Sequence, residues 1–163
     1  MTPHRKGAIA ETRIAAELTC LGLDVYRPVA EGGRYDLLVD CGPRLVRVQC
    51  KWARREGAVI IVRTRTSRLT PHGYVRTTYR AGEIDGVAAY CPAVERCFWL
   101  PISAVEGRVS VSLRLRPAGN GQHSGLRWAS DHPLGAIAQL GERLTGSQEV
   151  GGSNPPSSTP RPR

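Results

Sequence analysis

The spacing of apolar residues predicts an amphipathic helix near the start of the chain. Ile14, Leu18 and Leu21 recur at the interval of one helical face, so they should form its buried stripe. Thr2 has a hydroxyl that can cap the first turn, and Gly22 directly follows the last apolar residue of the stripe. We therefore expect a helix that begins at Thr2 and ends at Leu21.

Short apolar or alternating runs follow this helix and are typical of β-strands. Gly42-Pro43 separates two of them and can form a two-residue hairpin turn with glycine at its first central position. The expected strands cover residues 24–27, 35–41, 44–52, 58–66, 87–91, 97–100 and 109–115. A helix followed by largely antiparallel strands predicts an α/β domain over residues 1–116.

The composition changes at Pro117 to Gly, Ser, Asn and Pro with few large apolar side chains. We therefore expect residues 117–163 to be a disordered tail whose deletion leaves folding intact. Gly135 to Thr159 is similar to the conceptual translation of a bacterial tRNA gene. Ala138 to Arg143 matches the D-arm and Gly152 to Pro155 the T-arm, in order and in one frame. We interpret this part as read-through into a tRNA gene, or as the mark of a mobile element at a tRNA locus.

The charge of the chain is unevenly distributed. The 163 residues include 23 Lys and Arg against 14 Asp and Glu, for a net charge of +9. Residues 1–116 hold 19 basic and 11 acidic residues, so they carry +8 of this charge. A basic excess favours a polyanionic partner, because Lys and Arg release counterions when they neutralise phosphates.

Membrane-spanning and secreted classes are not supported by the sequence. No run approaches the roughly 20 apolar residues of a membrane helix, and Met1 to Arg13 lacks the apolar core of a secretory signal. The five cysteines form no CxxC pair, so we expect reduced thiols and no zinc site. These features indicate an intracellular protein.

The predicted hairpin places three polar residues on one face. If Gly42-Pro43 is the turn, paired positions sum to 85 and Asp36 lies across from Gln49. Lys51 follows two residues later and shares that face. The opposite face would be apolar, with Tyr35, Leu37, Val39, Val46, Val48 and Cys50.

This polar group has a chemical use. Mg2+ takes oxygen ligands, which the Asp36 carboxylate and the Gln49 carbonyl can supply. Lys51 could orient or deprotonate an attacking water, and it stands out because only two of the 23 basic residues are lysines. Glu11 adds a second carboxylate if its helix packs over this face. The alternative is a hairpin whose polar face is merely solvated.

An ordered series of residues resembles the PD-(D/E)xK nuclease superfamily. It runs from Lys6-Gly7 and Glu11 through Tyr35-Asp36-Leu37-Leu38-Val39 to Arg47-Val48-Gln49-Cys50-Lys51. Within the superfamily it is most similar to bacterial endonucleases associated with group I introns, in which Gln replaces the usual acid before x-Lys. The likeness continues through Tyr79, Ile84-Asp85, Val87 to Tyr90 and Phe98 to Pro101.

The resemblance implies a restriction-endonuclease-like core, in which the N-terminal helix packs on a mixed, largely antiparallel sheet with flanking helices. Glu11, Asp36, Gln49 and Lys51 would be the catalytic set, the first three of them binding Mg2+, for which Mn2+ can substitute. The implied protein is a homing endonuclease of a mobile element that cuts double-stranded DNA, acts as a dimer or tetramer, and works in the cytoplasm at the nucleoid. A Holliday-junction resolvase, a restriction-like nuclease and a non-catalytic DNA-binding module are the alternatives.

A basic region follows the predicted hairpin and suits contact with DNA phosphates. It contains seven arginines, interrupted by a single acidic residue, with threonines and a serine between them. The expected DNA-binding residues are Arg54, Arg55, Arg63, Arg65, Arg68, Arg76 and Arg80. Tyr79 and Asp85 could approach the site, but the sequence assigns them no catalytic role.

Overall fold

The computed structural model describes residues 1–30, 32–71, 73–117 and 125–140. It contains two α-helices, α1 (Pro3–Cys20) and α2 (Ile102–Val105), and two short 3-10 turns at Ala129–Asp131 and Leu134–Ile137. The strands are β1 (Asp24–Tyr26), β2 (Leu37–Asp40), β3 (Leu45–Trp52), β4 (Arg54–Glu56), β5 (Val59–Arg63), β6 (Thr66–Thr70), β7 (Gly73–Thr77), β8 (Gly86–Cys91), β9 (Arg96–Pro101) and β10 (Ser110–Arg114).

The strands form three sheets. The largest has the order β1-β2-β3-β8-β9, in which only β3 and β8 run parallel. A second sheet has the order β10-β5-β4, and β6 pairs with β7 in a two-stranded sheet. The fold is therefore the expected α/β arrangement, with an N-terminal helix packed on a mixed, largely antiparallel sheet.

Each face of the five-stranded sheet is covered by a separate hydrophobic core. On one face α1 packs against β3 and β8, and the buried residues include Ala10, Ile14, Leu18, Leu37, Val39, Val46, Val48 and Cys50. On the other face the second sheet packs, with Ile60, Val62, Val87, Ala89, Val111 and Leu113. Because side chains alternate along a strand, β3 and β8 contribute to both sides.

The helix prediction is confirmed, with one correction to its buried face. Thr2 caps α1, since its hydroxyl accepts a hydrogen bond from the N–H of Arg5 at 3.3 Å. Ile14 and Leu18 are fully buried, but Leu21 is 49% exposed. The helix ends one residue earlier than expected, so Leu21 lies beyond the last turn that faces the sheet.

The predicted disordered tail is wrong for residues 125–140, which pack against the sheet. Leu134 and Ile137 are buried in the α1 core, and the carbonyl of His132 accepts the N–H of Trp99 at 3.0 Å. The Gly- and Pro-containing composition of this segment does not predict that its few apolar side chains are buried. The rest of the predicted tail, residues 118–124 and 141–163, lies outside the described residues, as does most of the tRNA-like stretch.

The state of the cysteines and the length of the helices are two further features of the structure. The five cysteines carry free thiols, and all but Cys20 are buried. No helix within the described residues is long and apolar enough to cross a membrane.

Candidate active site

The β2–β3 hairpin has the predicted register. Leu37 pairs with Val48 and Val39 with Val46, so paired positions sum to 85. Gly42 makes the turn possible, because its φ of +82° is a conformation that residues with a Cβ rarely adopt. The short turn therefore fixes which residues of β3 lie beside Asp36.

The regular pairing of the two strands ends at Leu37, where the N–H of Asp36 still donates to the carbonyl of Val48 at 2.9 Å, and the Asp36 carboxylate accepts the next donors of β3. Continuing the ladder would bring the N–H of Cys50 to the carbonyl of Tyr35. Instead it donates to Oδ2 of Asp36 at 2.8 Å. The side-chain amide nitrogen of Gln49 also donates to Oδ2. Tyr35 packs in the core opposite α1, so its predicted place on the face of Leu37 is wrong.

Gln49 and Lys51 lie on the face of the sheet opposite α1. Their parallel partners on β8 are Val87 and Ala89, which belong to the core on that face. Cys50, between them, points into the α1 core. The polar group is thus largely enclosed, with Gln49 only 9% exposed.

Glu11 approaches this group from the other side. Its helix packs on the apolar face of the hairpin, so the condition set for Glu11, that α1 packs over the polar face, is not met. Oε2 of Glu11 forms an ion pair with Nη1 of Arg27 at 3.4 Å. Its negative charge acts on both Cys50 and Lys51, which places the carboxylate at the edge of the site.

Burial shifts the pKa values of the two central charged groups, Asp36 and Lys51, in opposite directions. It raises the pKa of Asp36, and the hydrogen bond from Cys50 and the charge of Lys51 only partly oppose the rise. Burial also lowers the pKa of Lys51, against the effect of the Asp36 charge. An acid and a base that are both partly buried, each with a shifted pKa, are typical of a catalytic site.

Three further residues belong to the surroundings of the site. Tyr79, which the sequence left without a role, is fully buried, and the ammonium of Lys51 lies 5.4 Å from its ring centroid. The guanidinium of Arg34 lies 5.6 Å from the same ring. The positive charge of Arg27 acts on Asp36. Sequence reasoning missed both arginines, although Arg34 stands only two residues before Asp36.

The predicted DNA-binding arginines are spread over the second and third sheets and their connections. Arg54 and Arg55 are on β4, Arg63 ends β5, Arg68 and Arg76 are on β6 and β7, and Arg65 and Arg80 lie in connecting segments. The side chain of Arg68 lies outside the described residues. Arg54 forms an ion pair with Glu56 at 2.8 Å, so it is already partly neutralised.

A metal ion at this site would depend on more than acidic side chains. Within the described ranges, no three His, Cys, Asp or Glu side chains gather in a metal-binding arrangement. The oxygens at the site are those of Asp36, the Gln49 amide and Glu11. This is a hard-oxygen set of low charge, which suits a cation that keeps several water ligands, such as Mg2+.

Comparison with known proteins agrees with this geometry. The sequence profile of the PD-(D/E)XK endonuclease family matches residues 1–134, and the chain belongs to that family. Its members are nucleases that generally use divalent metal ions.

Among solved structures, the chain is similar to the bacterial homing endonuclease I-Ssp6803I, with a TM-score of 0.70 and 22% sequence identity. The match covers 92% of this chain and 100% of that one, and it establishes the restriction-endonuclease-like fold. A comparison with curated protein sequences gave no significant match.

Proposed function

We propose that the protein is a Mg2+-dependent endonuclease that cuts double-stranded DNA. The observation that carries the proposal is the convergence of Asp36, Gln49 and Lys51 where the regular pairing of β2 and β3 ends. Family membership supports phosphodiester hydrolysis, and the oxygen ligands support a divalent cation. Mn2+, which has the same preference for oxygen ligands, is expected to substitute.

The residues fit a bound Mg2+. Within the described part of the chain, both hydrogen bonds to the Asp36 carboxylate use Oδ2, so Oδ1 would be the ligand of a cation. The Gln49 side chain is joined to the Asp36 carboxylate through its amide nitrogen, and its carbonyl oxygen would be the second ligand. Glu11 would complete the set directly or through water. When bound, Mg2+ would stabilise the charge that develops on the phosphate and lower the pKa of a bound water.

The protein groups have separate tasks in this proposal. Lys51 holds the attacking water and, as the neutral amine that burial favours by lowering its pKa, accepts the proton of that water. The N–H of Cys50 and the amide of Gln49 hold the Asp36 carboxylate in one orientation. Glu11 is kept at the edge of the site by Arg27.

The seven arginines from Arg54 to Arg80 are the proposed DNA interface. They carry charge and donor groups suited to phosphates, and such contacts position a duplex without reading its sequence. Arg63, Arg76 and Arg80 are exposed, as DNA contact requires.

A homing role follows from the likeness to I-Ssp6803I, whose name identifies it as a homing endonuclease. We infer that this chain belongs to a mobile element, such as a group I intron, and acts on DNA of the nucleoid. Cutting two antiparallel strands needs two sites related by a twofold axis, which favours a dimer or tetramer.

Incubation with a plasmid library of random inserts tests this proposal. With Mg2+, the native protein should linearise members that contain its target, and sequencing of the ends should give one site. EDTA and the substitution Lys51→Ala should each abolish cleavage, whereas Lys6→Arg should not. Retardation of DNA without Mg2+-dependent nicking would contradict the nuclease proposal, and cleavage only of branched DNA would indicate a resolvase.

A further inference from the structure

The aromatic ring of Tyr79 lies at the centre of a group of charged residues. Tyr79 has no exposed surface, yet its hydroxyl makes no hydrogen bond within the described part of the chain. The ammonium of Lys51 and the guanidinium of Arg34 both lie over its ring. A core position alone would not require two cations at one ring.

Arg34 is held firmly in this group. Its Nη2 donates to both carboxylate oxygens of Glu83, at 2.6 and 2.7 Å, and its Nε donates to Oε1 at 3.1 Å. Nη1 donates to the hydroxyl of Thr77 on β7 at 3.3 Å. The N–H of Arg80 also donates to Glu83 at 2.9 Å. Because these hydrogen bonds hold the Arg34 guanidinium in place, its contact with the Tyr79 ring limits where that ring can lie.

Lys51 needs such a boundary. Its four-carbon chain has many rotamers, and Oδ2 of Asp36 is already occupied by Cys50 and Gln49. An aromatic face attracts an ammonium, and most strongly when both are out of water. The ring therefore provides the contact that limits where the Lys51 nitrogen can lie.

We propose that Tyr79 is a positioning residue for Lys51, with its ring, rather than its hydroxyl, as the functional part. The ring, bounded by Arg34, holds the Lys51 nitrogen beside Asp36, where the attacking water would lie. This role rests on the proposed nuclease function, because that function gives Lys51 its task.

The composition of the chain makes the contact directly measurable. Lys6 and Lys51 are the only lysines, so selective 13C labelling of lysine yields two side-chain signals, and Lys6→Arg identifies that of Lys51. In the native protein the Lys51 methylene protons next to the nitrogen should be shifted upfield by the ring. The shift should persist in Tyr79→Phe and disappear in Tyr79→Leu.

Cleavage provides the second measurement. Single-turnover cleavage should stay within about twofold of native in Tyr79→Phe and fall about tenfold in Tyr79→Leu, with DNA affinity unchanged. In a chain that already carries Lys51→Met, adding Tyr79→Leu should cause no further loss of cleavage, because the ring acts through the Lys51 side chain. Equal losses with and without Lys51 would overturn the proposal.

The two measurements separate this proposal from the proposed function. A chain that cleaves DNA but shows no upfield shift of Lys51 would overturn the role of Tyr79. A chain with the shift that cleaves no DNA under any condition would overturn the nuclease function. The native spectrum decides the contact even if Tyr79→Leu does not fold.

Discussion

Oδ2 of Asp36 accepts the N–H of Cys50 at 2.8 Å, in the place where the strand ladder would supply the carbonyl of Tyr35. The carboxylate is therefore part of the backbone hydrogen bonding of β3 as well as part of the candidate active site. Its structural and chemical contributions can be separated by substitution.

The first prediction compares two replacements of Asp36. Asp36→Asn keeps an oxygen for the N–H of Cys50 but removes the charge, so it should fold as the native chain and lose cleavage. Asp36→Ala should lose cleavage and also about 1–3 kcal/mol of stability, because the Cys50 donor remains buried without a partner. Urea unfolding together with a cleavage assay checks both. Equal stability of the two variants would show that the hydrogen bond contributes little.

Replacing Lys51 by Met should separate catalysis from stability. The ammonium is buried at a cost that lowers its pKa, so removing it should leave the melting temperature unchanged or higher. Cleavage should fall by about 10²–10⁴-fold, the usual contribution of a general acid or base. Lys6→Arg is the matched control and should cleave normally. A Lys51→Met variant with native activity would remove the residue from the mechanism.

Asp85 should make the chain sensitive to acid. Burial alone would raise its pKa, but bonds from the backbone and side chain of Arg47 and from Arg44 outweigh burial and lower it. The carboxylate therefore contributes its full stability above about pH 4, and the contribution is lost as pH falls through the lowered pKa. Asp85→Asn should be about 2 kcal/mol less stable at neutral pH.

Unfolding curves measured between pH 2 and pH 7 check the Asp85 prediction. The native and Asp85→Asn curves should converge at the acid end, where Asp85 is protonated. Asp24→Asn, at an exposed position of β1, should follow the native curve throughout. A constant gap between the native and Asp85→Asn chains would mean that the ionised form is not what stabilises the fold.

Arg76 on β7 should contact a DNA phosphate. Arg76→Gln should weaken binding alike for all sequences and reduce the slope of log affinity against log salt by about one. Affinity measured over a series of salt concentrations gives the slope. Arg96→Gln is the control, since that guanidinium stacks on Phe98 in β9. An unchanged slope for Arg76→Gln would place β7 outside the DNA interface.

Two truncations should differ in their effect on folding. Removing residues 141–163 should leave stability unchanged, because the packing of Leu134 and Ile137 against the α1 core is retained. Removing residues 117–163 should cost about 4 kcal/mol or more, since both buried side chains are lost. Thermal unfolding compares the two, and equal melting temperatures would show that residues 125–140 are dispensable.

The parts of the site that follow from local geometry could be predicted from the sequence. The length of a two-residue turn fixes the strand register, so the proximity of Asp36, Gln49 and Lys51 could be predicted. The side of the sheet that α1 covers could not be predicted. Residues of β3 are buried on both faces, and the polar positions resemble a solvated face until the second sheet is in place.

The arginines around the site could not be predicted from the sequence for a different reason. Arg27 and Arg34 lie in a connection without apolar periodicity, and they reach the site only because β1 pairs with β2. Leu134 and Ile137 were missed because two isolated apolar residues in a Gly- and Pro-containing segment do not form a pattern. In each case long-range pairing decides the position of the residue.

The strands that carry Arg68 and Arg76 form a sheet of their own, apart from the five-stranded sheet that bears Lys51. Mutations in these two strands can change exposed positions without repacking the cores that hold the catalytic residues. Over generations, the strength of the proposed phosphate contacts is therefore free to change while the candidate active site is conserved.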